Sequence, residues 1–328
     1  EETVSKEARN VYLKGRFCLK RRSDGDERNK AVKFFTDAKD LDQNYAKAWA
    51  GLADAYLFLS APGVKGAIPP EKAVESARKA AKRAIELDDS LCEAYNSLGL
   101  ISSRYEWNWS AAEDYFRTAV NRDAEFLPAR FGLINVLSLR ERYDEALAEA
   151  QKIKEFDPLS VSSDIQIALI YYKKYDYRQT DRILTELLHR FPDNLRAKYV
   201  RSYLFLKTGK FKEAVEILEP VYTSGGEEDK VLAAAPLGFA YAKMGRRDEA
   251  LKIVEDLGKF RKTSYVPAQE RALIYVGLGD YDMVFENLNQ SCAERFSSLP
   301  GWTNDPIVDE VKNDPRFAEI RKCVNLGS

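Results

Sequence analysis

The sequence predicts an all-α fold made of repeated pairs of helices, and two observations carry this prediction. First, similar segments begin at Tyr143, Tyr177 and Phe211, so the pattern repeats every 34 residues. Second, each segment and the stretch before it carry apolar residues at spacings of three and four, which is typical of amphipathic helices. Alternating strand patterns of useful length are not found. Each repeat is therefore predicted to be two helices joined by a short turn.

The predicted turns contain the residues that such turns require. Gly209, Gly245 and Gly279 each stand between the two helices of a repeat. Glycine adopts the left-handed backbone conformation that commonly ends a helix, without a steric penalty. We therefore expect one helix to end at each of these glycines and the next to begin just after it.

Small residues recur at two matching places, the eighth of the first helix and the twentieth of the repeat. The eighth places hold Gly15, Ala53, Gly99, Ile134, Ala168, Ser202, Gly238 and Ala272. The twentieth places hold Ala31, Ala77, Ala112, Ala146, Thr180, Ala214, Ala250 and Val284. This pattern resembles the tetratricopeptide repeat (TPR), in which such residues let two helices approach closely. The resemblance implies one solenoid over 1–328, a right-handed superhelix of about eight repeats followed by a C-terminal capping helix.

The repeat boundaries follow from the same pattern. They are placed at about 8–45, 46–91, 92–126, 127–160, 161–194, 195–228, 231–264 and 265–298, with a C-terminal cap at 299–328. A solenoid has to cover the apolar face of its last repeat. We expect Trp302, Ile307, Phe317 and Ile320 to do so.

Three short segments suggest a narrower relationship. YLKGRF at Tyr12, EWNW at Glu106 and NDPRF at Asn313 resemble the C-terminal TPR region of bacterial CadC-like winged-helix regulators, nucleotide cyclases and kinases. This resemblance implies an upstream signalling domain, and the sequence is read as part of a longer protein or a mature form. It leaves the compartment open between the cytoplasm, which is favoured, and the extracytoplasmic side of a membrane-anchored regulator.

Composition and motifs exclude several classes of function. Lys and Arg number 51 against 52 Asp and Glu, so no strong positive field favours nucleic acid. Apolar runs fall short of the roughly 20 residues that span a bilayer, so we expect no direct membrane insertion. No phosphate-binding loop, nucleophile elbow or zinc motif is present, and the single histidine, His189, lies near a predicted helix end. We expect no catalytic residue, metal or cofactor.

The four cysteines, Cys18, Cys92, Cys292 and Cys323, are far apart and include no C-x-x-C pair. They are interpreted as buried or incidental thiols, and spacing alone leaves open whether any two of them pair.

The TPR resemblance also identifies a candidate binding groove, because the first helix of each repeat lines the concave face in that family. Tyr and Arg are frequent anchors of protein interfaces, and Asn side chains can pair with an extended backbone. An alternative is that the tyrosines simply pack against each other. The candidate groove residues are Asn96, Arg104, Phe131, Asn135, Ile165, Leu169, Tyr172, Lys173, Arg196, Tyr199, Tyr203, Lys207 and Phe239, with Lys243 following Phe239 in the seventh repeat.

These observations favour a non-catalytic scaffold that binds a protein or extended peptide segment, as the sensory or coupling arm of a bacterial signalling or transcription-regulatory protein. The alternative is a small-molecule sensor whose ligand lies beneath the insertion at 61–72 or between the aromatic repeats. An enzyme is the third hypothesis, and self-association of the helices is a further possibility.

Overall fold

The computed structural model describes residues 4–21, 25–59, 70–263 and 266–327, and within these ranges the chain is helical without β-strands. The helices follow one another in pairs, as predicted. Their bounds are α1 Lys6–Lys20, α2 Gly25–Leu41, α3 Ala46–Leu59, α4 Pro70–Leu87, α5 Cys92–Ile101, α6 Trp109–Arg122, α7 Leu127–Leu139, α8 Tyr143–Phe156, α9 Val161–Lys173, α10 Tyr177–Arg190, α11 Leu195–Lys207, α12 Phe211–Ser224, α13 Glu227–Lys243, α14 Arg247–Thr263, α15 Gln269–Leu278, α16 Tyr281–Ala293, α17 Leu299–Thr303 and α18 Pro315–Cys323, with a π-helical turn at Ser102–Glu106 and a 3₁₀ helix at Pro306–Val311.

The chain divides into two compact units, unit 1 at Glu1–Val136 and unit 2 at Leu137–Ser328, with the boundary inside α7. In each unit, consecutive helices pack against each other and the first helices of neighbouring repeats also make contact. These contacts between neighbours in sequence are typical of repeat proteins.

Large aromatic rings fill the space that the small residues leave in unit 1. The ring of Phe35 in α2 is fully buried between Gly15 of α1 and Gly51 of α3. A Cβ atom at Gly15 would come within 2.8 Å of the ring, and one at Gly51 within 2.5 Å. Close packing of three helices around one ring therefore explains the two glycines. The same arrangement recurs around Phe116 of α6 with Gly99 and Gly132.

The turns follow one rule that the sequence reveals only in part. In the third to eighth repeats, the residue two positions before the second helix has a left-handed backbone, and the three predicted glycines confirm this with φ of 76°, 76° and 72°. Glu141 (φ 60°) and Tyr175 (φ 61°) take the same conformation before α8 and α10. The fourth and fifth repeats therefore form the same turn with side chains that seldom adopt it.

The end of the chain packs against both helices of the last repeat. Phe317 and Ile320 of α18 are buried, α18 packs against α16 and α17, and a disulfide between Cys292 and Cys323 joins α16 to α18. Trp302 and Ile307 line a cavity with residues of α9, α11 and α15, and α15 is the first helix of the last repeat.

Candidate peptide-binding surface

The residues Leu299–Val311, named here the C-terminal segment, lie against the first helices of the repeats in unit 2. The 3₁₀ helix of this segment contacts α11 and α15. Its start is fixed locally, because the Asp305 side chain accepts a hydrogen bond from the Ile307 backbone N–H at 2.9 Å and Pro306 occupies the first helical position. Asn304 donates from Nδ2 to the Leu139 carbonyl at 2.6 Å. The surface that receives the segment, formed by α9, α11, α13 and α15, is named the inner surface of unit 2.

Side chains of α9 and α11 bind the segment. The Tyr172 hydroxyl donates to Asp305 Oδ1 at 2.9 Å, and Lys207 Nζ donates to Asp309 Oδ2 at 2.6 Å. Tyr175, in the turn after α9, donates to Asp309 Oδ1 at 3.0 Å. Burial acts to raise the pKa of Asp309, but the hydrogen bonds from Lys207 and Lys312 outweigh it, and the pKa lies below its usual value.

A second lysine extends the row of contacts onto α13. Lys243 Nζ lies 2.7 Å from both carboxylate oxygens of Glu310. Lys207 and Lys243 occupy the end of the first helix in successive repeats, and the segment offers them two consecutive acidic residues. Two lysines from successive repeats of the inner surface of unit 2 thus pair with two consecutive acidic residues of the C-terminal segment.

A cavity of ≈ 210 Å³ lies between the segment and the inner surface. Tyr199 donates from its hydroxyl to the Tyr203 hydroxyl at 3.1 Å, with ring centroids 5.0 Å apart. Burial raises the pKa of the half-buried Glu270 carboxyl to about 7. The cavity is lined by Leu169, Tyr172, Tyr199, Val200, Tyr203, Gln269, Glu270, Leu273, Ser298, Gly301, Trp302, Asp305 and Ile307.

The structure brings part of the predicted groove together in unit 2. Tyr172 and Lys207 bind the C-terminal segment, and Leu169, Tyr199 and Tyr203 line the cavity beside it. The expectation that the tyrosines pack against each other is also met by Tyr199 and Tyr203.

The other predicted residues of unit 2 do not join these contacts. Ile165 and Phe239 are buried, at 2% and 3% exposure, and serve the helix packing. Lys173 is half-buried, and burial lowers its pKa although nearby Asp305 acts in the opposite direction. Arg196 is exposed at the start of α11.

The predicted residues of unit 1 have mixed environments. Asn96 is buried at 4% exposure, and its Oδ1 has no hydrogen-bond partner among the described residues. Phe131 is half-buried, while Arg104 and Asn135 are exposed. Asp54 on α3 accepts a hydrogen bond from the Ser97 hydroxyl at 2.6 Å. The contacts of unit 1 do not identify a bound segment.

Sequence reasoning missed the acidic partners Asp305, Asp309 and Glu310 and the cavity residues Glu270 and Trp302. The segment lies outside the repeats, so its side chains have no place in the repeat pattern. The repeat pattern could have identified two cavity residues close to Glu270 in the sequence. Gln269 and Leu273, which line the cavity, occupy the fifth and ninth places of the eighth repeat, the places from which Tyr199 and Tyr203 were selected in the sixth.

Two further features bear on the excluded functions. Within the ranges that the structure describes, no three His, Cys, Asp or Glu side chains come together in a way that could hold a metal ion. In the same part of the chain, helices of the length and apolar character needed to cross a membrane are absent. Most of the insertion at 61–72, proposed as a ligand site, lies outside the described residues.

Comparison with known proteins supports the fold. Residues 165–225 match the tetratricopeptide repeat family model. Yeast Tom70 is similar at TM-score 0.59 and 17% identity, over 98% of this chain and 69% of that one. A TPR protein from Parabacteroides merdae has TM-score 0.54 and 12% identity, over 98% and 100%. PilW, a type IV pilus biogenesis factor, has TM-score 0.55 and 14% identity, over 70% and 99%. No curated protein matches the sequence significantly. At these identities the likeness shows a fold of the TPR-solenoid type.

Proposed function

We propose that this chain is a non-catalytic scaffold that binds an acidic segment of a partner protein on the inner surface of unit 2. The observation that carries the proposal is the position of the C-terminal segment, whose Asp309 and Glu310 pair with Lys207 and Lys243. The chain's own segment thus presents the chemistry that a partner would use. TPR folds suggest protein-binding scaffolds, and Tom70 and PilW are examples of the fold.

The two ion pairs are the weaker contacts of the segment. They are partly exposed, and pairs of this kind contribute about 0.2–1 kcal/mol each. The segment is also held by the Tyr172–Asp305 hydrogen bond and by the buried side chains of Ile307 and Val308, so a partner has to replace these contacts as well. The partner competes with a tethered segment whose effective concentration is on the order of millimolar, so it needs additional apolar contacts.

A labelled peptide with the sequence of residues 303–312, TNDPIVDEVK, tests this proposal by fluorescence anisotropy. The double variant Asp309→Ala/Glu310→Ala loosens the segment, so we expect it to bind the peptide at least tenfold more tightly than the unchanged chain does. Adding Lys207→Ala and Lys243→Ala to that variant is expected to abolish binding. Glu319→Ala, an exposed change on α18, serves as the control. Peptide binding that is unchanged by the loss of both lysines would contradict the assignment.

For the biological role, we propose the sensory or coupling arm of a bacterial signalling or transcription-regulatory protein. The support is the resemblance of YLKGRF, EWNW and NDPRF to the TPR regions of such proteins. In the structure, Asp314 of NDPRF caps α18, and Trp107 of EWNW is buried in a left-handed turn before α6. The complete coding sequence tests this role. A winged helix, cyclase or kinase encoded upstream supports it, and an unrelated domain overturns it.

The balanced charge supports a protein partner over nucleic acid. The second candidate function, small-molecule sensing, is favoured by one observation, the partly polar cavity beneath the C-terminal segment.

A further inference from the structure

The cavity between α9, α11, α15 and the C-terminal segment contains polar groups that the protein leaves unsatisfied. The Glu270 carboxyl makes no hydrogen bond or ion pair with any residue that the structure describes. Within the same described ranges, Gln269 Oε1 and Trp302 Nε1 are buried without a hydrogen-bond partner. Buried groups of this kind are rare in folded proteins because each costs free energy. Two such atoms and the half-buried carboxyl of Glu270 around one cavity point to a ligand.

The Gln269 amide cannot satisfy itself by rotation. Its Nε2 donates to the Ser298 hydroxyl at 2.6 Å, and its residue is 1% exposed. Exchanging the amide oxygen and nitrogen would pair the oxygen with Ser298 and leave the nitrogen without a partner. Either orientation leaves one polar atom of this side chain available to a ligand.

The charge around the cavity favours a cation. Its two ionisable acidic groups are Glu270 and Asp305, and none of the lining residues is Lys, Arg or His. Asp305 is already engaged by the Tyr172 hydroxyl and the Ile307 N–H, so Glu270 is the available carboxyl group. The rings of Tyr199, Tyr203 and Trp302 add aromatic surface of the kind that attracts ammonium groups.

The remaining groups narrow the ligand further. Gln269 Oε1 needs a donor, which a primary ammonium supplies and a quaternary one lacks. Trp302 Nε1 can only donate, so the ligand must also carry an acceptor such as a carbonyl oxygen. Leu169, Val200 and Leu273 offer an apolar wall for a short side chain. A volume of ≈ 210 Å³ lies below the roughly 300–1,000 Å³ of drug-sized sites, so the ligand is small.

We propose that this cavity binds an α-amino amide group, a primary ammonium with a neighbouring carbonyl, with Glu270 as the counter-ion and Trp302 as the donor to the carbonyl oxygen. Two sources share this chemistry, a free amino-acid derivative and the unblocked N-terminus of a peptide. The site is separate from the lysines that bind Asp309 and Glu310, so it is independent of the proposed scaffold function and deepens the second candidate, small-molecule sensing.

Isothermal titration calorimetry with L-leucinamide tests the site on the full chain. We expect binding by L-leucinamide and at least a tenfold loss with N-acetyl-L-leucinamide, in which acetylation removes the positive charge and two N–H donors and adds an acetyl group. Glu270→Gln, which keeps the shape of the side chain, is expected to weaken binding at least tenfold. Glu286→Gln, the same change at an exposed position on α16, is expected to leave binding unchanged.

A second variant and a second probe complete the test. Trp302→Phe keeps a ring but removes the indole N–H, and we expect it to weaken binding of leucinamide at least threefold. The tripeptide amide Leu-Ala-Ala-NH₂ distinguishes the sources, since binding supports a peptide N-terminus and failure supports a free ligand. Absent binding of leucinamide at millimolar concentration, equal binding of the acetylated probe, or an unaffected Glu270→Gln variant would each overturn the proposal.

Discussion

Tyr172 donates a hydrogen bond from its hydroxyl to Asp305 Oδ1 at 2.9 Å, across a sequence separation of 133 residues. The contact joins a repeat helix to the irregular end of the chain. Tyr172 is 1% exposed, and this burial raises the pKa of its hydroxyl well above the usual value. The nearby Asp305 raises that pKa further. The hydroxyl therefore stays protonated and remains a hydrogen-bond donor to Asp305 throughout the neutral range.

Replacing Tyr172 by Phe removes this hydrogen bond while keeping the ring. The Asp305 carboxylate then loses a partner in a buried site, and we expect the free energy of unfolding to fall by about 1.5–3 kcal/mol. Urea denaturation measures the change. Tyr171→Phe is the control, because the Tyr171 hydroxyl has no hydrogen bond in the described part of the structure. Equal losses in the two variants would show that the Tyr172–Asp305 contact does not hold the segment.

Two glycines, Gly51 beside Phe35 and Gly258 in α14, predict stability changes of opposite sign when replaced by Ala. Gly51→Ala places a Cβ against the Phe35 ring, which already packs closely on Gly15 at its other side. We therefore expect a loss of about 1–3 kcal/mol in unfolding free energy. Phe35→Leu in the same chain should recover part of that loss, giving non-additive effects. Gly258→Ala in α14, where an added Cβ meets no atom of the described structure within 4 Å, should instead stabilise the chain by about 0.5–1 kcal/mol. Thermal or urea unfolding of the three variants checks the signs, and a neutral Gly51→Ala would refute the packing argument.

Glu270 makes the stability of the chain depend on pH. Burial raises its pKa in the folded chain from 4.5 to about 7, so the folded state binds its proton more tightly than the unfolded state does. Stability from this group is complete below pH 4.5 and is lost as the pH rises to about 7. Nearby Tyr199, Tyr203 and Asp305 supply no positive charge to oppose the effect.

Glu270→Gln is therefore expected to stabilise the ligand-free chain relative to the unchanged one, by an amount that grows between pH 4.5 and pH 7 and is constant above it. The gain is on the order of 1–2 kcal/mol once solvent screening of a half-buried group is allowed for. Urea denaturation at pH 5 and pH 8 measures it, with Glu286→Gln as the control. A gain that is the same at both pH values would contradict the assigned pKa.

The Cys292–Cys323 disulfide joins α16 to α18, and Cys18 and Cys92 are buried free thiols. Titration with a thiol reagent should therefore detect few thiols in the native chain and two after unfolding without reductant. Cys292→Ser/Cys323→Ser should lower the unfolding free energy by about 2–4 kcal/mol under oxidising conditions and change little in reductant. Four thiols in the unfolded, non-reduced chain would show that the pair is not joined.

The helix pairs could be predicted from the sequence because the same pattern of apolar and small residues recurs in each repeat. Apolar spacing placed the helices, and Gly209, Gly245 and Gly279 placed three of the turns. The turns at Glu141 and Tyr175 were invisible, since neither residue type favours a left-handed backbone, and it is the repeat that imposes it. The requirement for glycine at Gly51 could not be predicted either, because only the packed ring of Phe35 shows why that position excludes a side chain.

The site was predictable only on one side. The repeat pattern selected Tyr172, Tyr199, Tyr203 and Lys207, which do lie along one surface. Their partners Asp305 and Asp309 follow the last repeat by a few residues, and nothing in the local sequence tells which helices they contact. The residues of a repeating surface can be predicted from the repeat period. The segment that lies on that surface can be identified only when the three-dimensional path of the chain is known.

The most direct test of the central claim, that the inner surface of unit 2 binds an acidic segment, is a crystal structure of the Asp309→Ala/Glu310→Ala variant with the TNDPIVDEVK peptide. We predict electron density for the peptide along α11 and α13, with its two consecutive acidic side chains at Lys207 and Lys243. Peptide density elsewhere on the chain, or a vacant inner surface at saturating peptide, would contradict the account.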